Sequence, residues 1–353
     1  MMDRIKMKEL ENAFRKHGIE AEEAFHCICA EYLEHSNTIF GERLTALREK
    51  GLEISKRFKN DVHLKHILKK EIESDPNGER LSLYYQYFLQ KRFRGSTGKF
   101  FTPKSIASAM ARLLRLKKDA VIMDPTCGSG TFLIEASKRW KDVGCRLIGN
   151  DIDNMLIDLA DITLYLATPD EHEKSLYSSN IYTPSHEIQK LFGTIDYILA
   201  NPPFSLPIDS FNIGSKIFSL GYKSSDALFI DLAYNLLKPG GRLVCLLPHS
   251  IISNREFRKL RMSVEQDWNL RGVIILPEGV FQFSSDTTTR ADITILMKKG
   301  SEESIPKAIF CNAPSVGSPL NSRSTKHEKN ELMEIISRED VLEALDLTEE
   351  VSI

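Results

Sequence analysis

Hydrophobic residues follow two different periods along the chain, and the change between them falls near residue 95. Before it, segments such as "AEEAFHCICAEYLE" and "LSLYYQYFLQKRF" carry apolar residues at helical spacing. From residue 120 onward, short apolar runs alternate with turns and amphipathic segments, among them "AVIMDPTCGSG", "CRLIGND", "IDYILANPPF", "GRLVCLLPHS", "RGVIILPEG" and "DITILMKK". Strands alternating with helices predict an α/β fold with a mainly parallel sheet and ligand sites at the carboxyl ends of its strands.

This pattern divides the chain into three predicted parts. Residues 1–94 are expected to form an N-terminal helical domain and residues 95–300 the α/β domain. Residues 301–353 are polar and are expected to form a tail with one helix over "NELMEIISREDVLEAL". A chain of 353 residues is long enough for one large domain with an accessory unit.

The composition is that of an ordinary globular protein, with 42% hydrophobic and 27% charged residues and a formal net charge of −2. No apolar run approaches the roughly 18 residues of a membrane helix, and "MMDRIKMKEL" lacks a signal-peptide core. Six scattered cysteines indicate a reducing compartment, so we expect a cytoplasmic protein without disulfides. The Cys27 and Cys29 pair lacks zinc-site spacing, and no metal is predicted.

Charge is distributed unevenly at one place. Between Lys91 and Lys118 there are nine Lys or Arg residues and no Asp or Glu. A phosphate backbone or another bound anion would explain this asymmetry. A solvated helix face that compensates acidic neighbours such as "KKEIESDPNGE" is the alternative explanation, and the bound anion is preferred.

The segment "VIMDPTCGSGTFLIEAS" predicts a strand, a glycine turn and a helix. Glycines at positions 128 and 130 allow a sharp turn and close approach to a ligand, because they have no Cβ. Asp124 precedes them, where a carboxylate would repel a pyrophosphate and attract an amino group. Asp151 ends the next strand and is placed to accept both hydroxyls of a ribose. A cofactor with an ammonium and a sulfonium therefore fits better than one with phosphates.

The segment "YILANPPFSL" ends a buried strand with Asn201 and two prolines. Proline cannot donate to a sheet ladder, so the strand must stop at Pro202. Pro202 restricts Asn201 to extended geometry, and Pro203 restricts Pro202 in the same way. The side-chain amide is thereby held at the strand end, followed directly by the aromatic ring of Phe204.

These motifs together resemble those of the N6-adenine DNA methyltransferases. "DPTCGSGTFLIEA" resembles their first S-adenosylmethionine motif, "GKFFTPKSIASAM" resembles the motif that precedes it, and "NPPF" follows in the order of the gamma-type enzymes. Over roughly residues 95–300 the chain is similar to the modification subunit of type I restriction–modification systems. The resemblance implies a Rossmann-like, S-adenosylmethionine-dependent methyltransferase fold.

The resemblance also implies a cofactor site for S-adenosyl-L-methionine. It places three residues beside the methionine end: Phe101, Thr102 and Pro103. It assigns the floor of the site to Asp124, Gly128 and Gly130, and the ribose to Asp151. Asn180 in "SSNIY" falls where the family commonly has an Asp near the cofactor adenine.

For methyl transfer to the N6 amine of adenine, two acceptors are needed on its two hydrogens. The Asn201 side-chain oxygen and the Pro202 carbonyl are suited to this, and the prolines hold both in place before substrate arrives. A base in duplex DNA must first be flipped out, which costs a few kcal/mol. Stacking on aromatic rings recovers part of that cost, and the expected rings are Phe204 and Phe281, with Phe283 as an alternative to Phe281.

Other classes of function share these residues. Methyltransferases that act on a protein glutamine or an RNA adenine also use Asn-Pro-Pro-aromatic, and a non-catalytic assembly subunit could keep the fold. The upstream "TGKFFTP" favours DNA, and intact Asp124, Asp151 and Asn201 argue against a scaffold. No segment resembles a domain for reading DNA sequence. The expected partners are therefore double-stranded DNA, a specificity subunit and a restriction subunit.

Overall fold

A computed structural model describes residues 2–35, 40–93, 101–168, 172–281, 290–300, 307–317 and 329–348. Two units can be distinguished in it. One consists of Met1–Ser96 with Asp158–Thr168, and the other of Thr97–Ile157 with Pro169–Ile353. The first unit is helical and the second contains the sheet. In the described part of the chain, no helix has the length and apolar character needed to cross a bilayer.

The helical unit contains the helices predicted from apolar spacing. Its elements are α1 (Met2–Arg15), α2 (Ala21–Glu34), α3 (Glu42–Ser55), a 3₁₀ turn (Lys56–Phe58), α4 (Val62–Glu73) and α5 (Leu81–Phe93). Aromatic rings meet edge to face in its core, with Phe14 and Phe58 centroids 5.7 Å apart and Phe25 and Tyr85 centroids 5.4 Å apart. Packing of these large rings stabilises the unit more than area burial alone.

The second unit is built on an eight-stranded sheet with the order β3-β2-β1-β4-β5-β7-β6-β8. The strands are β1 (Ala120–Asp124), β2 (Cys145–Asp151), β3 (Glu173–Ser178), β4 (Ile195–Ala200), β5 (Leu237–Pro248), β6 (Trp268–Ile275), β7 (Ala291–Lys298) and β8 (Ile309–Asn312). Only β7 is antiparallel to its neighbours among these strands. The prediction of a mainly parallel α/β fold with an N-terminal helical part is confirmed.

Helices connect and cover these strands. They are α6 (Lys104–Arg112), α7 (Thr131–Arg139), α8 (Asn154–Ala167), α9 (His186–Gln189), α10 (Lys216–Ser219), α11 (Ser225–Leu236), α12 (His249–Ser253), a 3₁₀ turn (Arg255–Phe257), α13 (Arg258–Asp267), α14 (Glu331–Ile336) and α15 (Glu339–Ala344). Every residue of β4 is buried, as expected for a central strand covered on both faces. Residues of α11 such as Phe229 share one apolar cluster with Ile198 and Leu243.

One lysine of the basic stretch has a structural partner. The Lys117 ammonium lies 2.6 Å from a carboxylate oxygen of Asp196 at the start of β4, and Lys238 lies 3.1 Å from the other oxygen. The Val121 amide also donates to Asp196 at 2.9 Å. Burial of Asp196 acts to raise its pKa, but these bonds outweigh burial and lower it. The charge of Lys117 therefore fastens β4 beside β1.

The described residues after 300 form more regular structure than the sequence pattern indicates. Ile309–Asn312 form the edge strand β8, which is too short to produce a periodic signal. The single helix expected over 330–345 is divided in two, because Arg338 adopts an extended conformation (φ −70°, ψ 139°) between α14 and α15. The short strand β3 was likewise not predicted, since its residues are half-buried or exposed and lack a continuous apolar run.

Two buried arginines fasten the C-terminal helix α15 to the sheet. Arg242 on β5 donates to the carbonyls of Leu113 (2.9 Å) and Leu345 (2.8 Å). Arg271 on β6 donates to the carbonyl of Ala344 at 2.5 Å and pairs with Asp346 at 2.7 Å. Cations suit the carboxyl end of a helix, where carbonyls are unpaired and the dipole is negative. Burial, together with the charge of Arg271, lowers the pKa of Arg242 to about 10, so Arg242 stays charged at neutral pH.

We expect Arg242→Met to lower the free energy of unfolding by about 2–3 kcal/mol, because two buried carbonyls lose their donor. Denaturant unfolding at neutral pH measures this change. Arg112→Met, at an exposed position on α6, is the matched control and should change stability by less than about 0.5 kcal/mol. Equal losses in both variants would contradict the assigned role of Arg242.

Candidate functional site

A cavity of about 260 Å³ opens at the carboxyl ends of β1, β2 and β4. From β1 the chain continues to β2 and β3 on one side of the sheet, and it then crosses to β4 on the other side of β1. Ligands of open α/β sheets bind at such a switch point. The cavity is lined by eight of the predicted site residues: Phe101, Thr102, Asp124, Gly128, Asp151, Asn180, Asn201 and Pro203. Residues from five separate stretches of sequence thus meet at one site.

The glycine turn after β1 follows the backbone geometry predicted for it. Gly128 and Gly130 have φ angles of +52° and +81°, a region that favours glycine. The Gly128 amide donates to Asp151 Oδ2 at 3.0 Å, and the Cys127 amide donates to the Asn150 carbonyl at 2.8 Å. These bonds join the turn to the end of β2. Gly130 starts helix α7 and does not itself line the cavity.

Asp124 is a buried carboxylate with one unpaired oxygen. Its Oδ1 accepts from the Thr126 amide at 3.1 Å, whereas its Oδ2 has no hydrogen-bond partner among the described residues. Burial raises the pKa of Asp124 well above its usual 3.8, and the charge of Asp151 acts in the same direction against the Thr126 bond. A buried carboxylate of this kind needs a donor or a cation.

Asp151 is half-buried and accepts hydrogen bonds through both oxygens. Oδ2 accepts from Gly128, and Oδ1 accepts from the Asp153 amide at 3.0 Å. A carboxylate offers about four acceptor positions, so it can accept several hydrogen bonds at once. The Gly128 and Asp153 amides fix the orientation of the Asp151 carboxylate.

Asn150 is a structural member of the site that sequence reasoning missed. Its side-chain amide donates to the carbonyls of Pro125 and Ser179, both at 3.1 Å, and its oxygen accepts from the Ser179 hydroxyl at 2.8 Å. Asn150 therefore holds the loops after β1, β2 and β3 together. The signal available in the sequence was a polar residue directly before Asp151 in a buried strand.

Asn180 lies at the cavity with its side chain exposed. Its Oδ1 accepts from the Tyr182 amide at 3.0 Å, which forms a local turn. The amide nitrogen of Asn180 is a donor, whereas an Asp at this position would offer acceptors alone.

Asn201 has one half of its side-chain amide anchored and the other half unpaired. Its Nδ2 donates to Thr102 Oγ1 at 3.2 Å. Its Oδ1 is buried and has no hydrogen-bond partner in the described part of the chain. Because Thr102 holds the nitrogen, the oxygen remains as an oriented acceptor at the cavity.

The prolines after Asn201 differ in position. Pro202 is buried and does not line the cavity, whereas Pro203 does. Pro103 follows Thr102 directly and is the N-cap residue of helix α6. Ser205, which follows the motif, has a φ of +55° although it is not glycine. Strained backbone of this kind is concentrated at functional sites.

Phe204 and Phe281, the two rings expected to stack on a base, lie together in the structure. They contact each other directly. Their ring centroids lie 6.3 Å apart with planes at 85°, and both rings are buried. A contacting edge-to-face pair has this separation, so the two rings do not face each other across a gap for a base. Phe283, the alternative to Phe281, lies outside the described residues.

Cys127 lines the cavity, but its thiol is expected to be unreactive. Burial raises its pKa well above the usual value, and the carboxylates of Asp124 and Asp151 raise it further. A thiol with a raised pKa is a poor nucleophile, which agrees with a packing role.

The strand order and the switch-point cavity define the class: the chain has the fold of S-adenosylmethionine-dependent methyltransferases. A crystal structure assigned to the class I enzymes of this kind from Listeria monocytogenes superimposes with a TM-score of 0.62, covering 89% of this chain and 93% of that chain at 20% identity. The methyltransferase subunit of a type I restriction–modification system from Streptococcus thermophilus gives 0.61, covering 98% and 74% at 20% identity.

The chain belongs to the N-6 DNA Methylase family, whose sequence profile matches residues 77–344. The type I restriction enzyme MjaVII methylase subunit of Methanocaldococcus jannaschii is 28% identical, over 69% of this chain and 43% of its own length. The type II methyltransferase M.VspI of a Vibrio species is 26% identical, over 56% of this chain and 47% of its own length. This chain thus spans less than half the length of these curated relatives.

We expect Asp124→Asn to raise the free energy of unfolding of the ligand-free protein by about 1 kcal/mol or more, because it removes an unpaired buried charge. The folded-state pKa is raised, so the folded wild type binds more protons than the unfolded chain, and its stability falls as pH rises from 3.8 through the folded pKa. The gain in free energy of unfolding should be complete at pH values above the pKa of Asp124 in the folded protein, and it should be absent below pH 3.8. Denaturant unfolding across pH measures it.

The exposed Asp142→Asn is the matched control and should show no such pH-dependent gain. An Asp124→Asn variant that is less stable than the wild type at neutral pH would mean that Asp124 is paired within the protein.

Proposed function

We propose that this chain transfers a methyl group from S-adenosyl-L-methionine to the N6 amino group of a flipped-out adenine in DNA, as the modification subunit of a type I restriction–modification system. The carrying observation is the oriented, unpaired Oδ1 of Asn201 at the same cavity as the unpaired Oδ2 of Asp124. One oxygen is suited to the hydrogens of an amine and the other to a cation.

The residues present fit the cofactor. Asp124 would bind the ammonium of the methionine end, which would satisfy its unpaired oxygen. Asp151 would accept the ribose hydroxyls, and Gly128 leaves the backbone open beside it, since nothing lies within 4 Å of a Cβ built there. Phe101 and Thr102 would flank the methionine end, with Asn180 near the adenine. When bound, S-adenosylmethionine supplies a methyl group on a positively charged sulfur.

Asn201 and Pro202 would prepare the target amine. The amine lone pair of adenine is delocalised into the ring, so two acceptors on its two hydrogens favour the more tetrahedral nitrogen that can react. Thr102 already holds the Asn201 amide at 3.2 Å, and the prolines hold the Pro202 carbonyl. Little reorganisation is then needed during the reaction.

Phe204 would stack on the flipped base and recover about 1–3 kcal/mol of the flipping cost. Phe281 remains the second stacking ring in this proposal, and to face a base its ring must turn from the edge contact with Phe204. The match to the N-6 DNA Methylase profile supports an N6 amine in DNA as the substrate. Two relatives are named as a type I methylase subunit and a type II methyltransferase.

The proposed partners are double-stranded DNA, a specificity subunit and a restriction subunit. The proposed location is the cytoplasm. Support comes from exposed basic side chains after β5, which form no salt bridge within the described part of the chain and are suited to phosphates: Arg255, Arg258 and Lys259. The type I relatives are themselves named as subunits.

We expect Asn201→Ala to reduce methyl transfer by roughly 10²–10³-fold or more, because the amine loses a preorganised acceptor. The measurement uses radiolabelled S-adenosylmethionine and unmethylated duplex DNA, followed by separation of the nucleosides. Asn212→Ala, an exposed asparagine beyond the motif, should retain wild-type transfer. Label on protein glutamine or on RNA in place of N6-methyladenine would contradict the proposal. Cofactor binding without transfer to any acceptor, even after candidate specificity subunits are added, would favour an assembly subunit.

Asp151→Ala should weaken S-adenosylmethionine binding by about ten- to hundredfold, because hydrogen bonds to a charged group are lost. Asn201→Ala should leave this affinity nearly unchanged, since its contacts are to the target amine. Calorimetry without DNA separates the two effects. Asp153→Ala removes a carboxylate from the same turn and serves as the control. Normal affinity in Asp151→Ala would exclude it from the cofactor site.

A further inference from the structure

One buried serine at the start of helix α11, Ser225, forms hydrogen bonds to the backbone of the turn that follows Asn201. The Ser225 hydroxyl donates to the Pro203 carbonyl at 2.6 Å and accepts from the Leu206 amide at 3.1 Å. The Ser225 amide donates to the Leu206 carbonyl at 2.8 Å. Ser225 is completely buried, with 0% exposure. It therefore contacts both ends of the turn that contains Phe204.

The neighbouring carboxylate holds the strained residue of the same turn. Asp226 Oδ2 accepts from the Ser205 amide at 3.1 Å, and its Oδ1 accepts from the Ala227 amide at 2.9 Å. Ser205 is the residue with a φ of +55°. A side chain at this φ persists only where the surroundings determine it, and here Ser225 and Asp226 supply the bonds on either side.

The same serine also reaches the opposite wall of the cavity. Its carbonyl accepts from the Tyr182 hydroxyl at 3.0 Å. Tyr182 lines the cavity, and its amide donates to Asn180 Oδ1. Burial raises the pKa of Tyr182, so its hydroxyl keeps the proton that it donates. Ser225 thus connects the Asn-Pro-Pro-Phe turn with the wall that contains Asn180.

Few backbone rotations are left in this turn. Proline rings lock φ at both Pro202 and Pro203. The remaining rotation that aims the Phe204 peptide is ψ of Pro203, and this is the rotation that a hydrogen bond to the Pro203 carbonyl restrains. The hydroxyl of Ser225 therefore acts where the prolines cannot.

We propose that Ser225 is a positioning residue for methyl transfer, and that its hydroxyl sets the orientation of the Pro203–Phe204 peptide and with it the ring of Phe204. This inference rests on the proposed function, and it adds a residue that neither touches the cofactor nor belongs to the Asn-Pro-Pro-Phe motif. Asp226 supports the same geometry through Ser205.

The test compares Ser225→Ala, Ser225→Thr and Ser224→Ala in the full chain. Ser224 precedes the helix and makes no capping bond through its side chain, so its substitution is the matched control. We expect Ser225→Ala to lower kcat for transfer to duplex DNA by about tenfold to hundredfold, the scale of a misplaced reacting group. S-adenosylmethionine affinity, measured by calorimetry, should stay within about twofold. Ser225→Thr keeps the hydroxyl and should recover most of the rate.

A readout independent of activity is hydrogen–deuterium exchange of the peptide containing residues 201–208. Ser225→Ala should raise exchange at Leu206, whose amide loses its acceptor, while Ser224→Ala should not. Unchanged protection at Leu206, or a kcat within twofold of wild type, would overturn the inference. A parallel loss of rate, cofactor affinity and global stability would also overturn it, because that is the signature of a merely structural role.

The failure of the two proposals can be told apart. If the wild-type chain transfers no methyl group to DNA, with or without added candidate subunits, the proposed function fails. The exchange arm then still decides whether Ser225 orders the turn. If the wild type is active and Ser225→Ala is equally active, only the positioning inference fails.

Discussion

The parallel pairing of β1 with both β2 and β4 is the constraint on which the site depends. It places Asp124 beside Gly149 of β2, and Met123 beside Ile198 of β4, so the three strands end at one edge. The polar residues that follow these strands then meet around a single cavity. A shift of one residue in either register would turn Asp124 or Asn201 to the opposite face of the sheet. The salt bridges of Asp196 and the apolar cluster beneath α11 keep that register.

The site keeps buried oxygens without partners among the described residues, which folding alone does not favour. Native proteins pair nearly all of their buried polar groups, yet Asp124 Oδ2 and Asn201 Oδ1 remain unpaired among the described residues. These unpaired oxygens lower the stability of the folded chain, and a ligand with suitable donors would satisfy them. The same arrangement is directional, because Thr126 holds one oxygen of Asp124 and Thr102 holds the nitrogen of Asn201.

Rigid elements hold this arrangement in place. Asn150 holds the loops after β1, β2 and β3 together, and Ser225 and Asp226 hold the turn after Asn201. Sites built on such supports hold reacting groups within the small tolerances that catalysis needs. The methyltransferase fold supplies the cavity, whereas these hydrogen bonds determine how narrowly its acceptors are aimed. Family membership thus accounts for the fold and the cavity, and the local hydrogen bonds account for the orientation of the acceptors within it.

The sequence by itself determined the features that depend on neighbouring residues: the strand-and-turn alternation, the glycine turn after Asp124, and the extended backbone that two prolines impose on Asn201. Only the tertiary structure decided the partners that lie far along the chain. Thr102 bonds Asn201 across 99 positions, and Ser225 bonds Pro203 across 22. It also decided that Phe281 packs edge-on against Phe204 and that β8 joins the sheet. Such contacts form because the tertiary fold brings together residues that are far apart in sequence. No local period or spacing in the sequence encodes them.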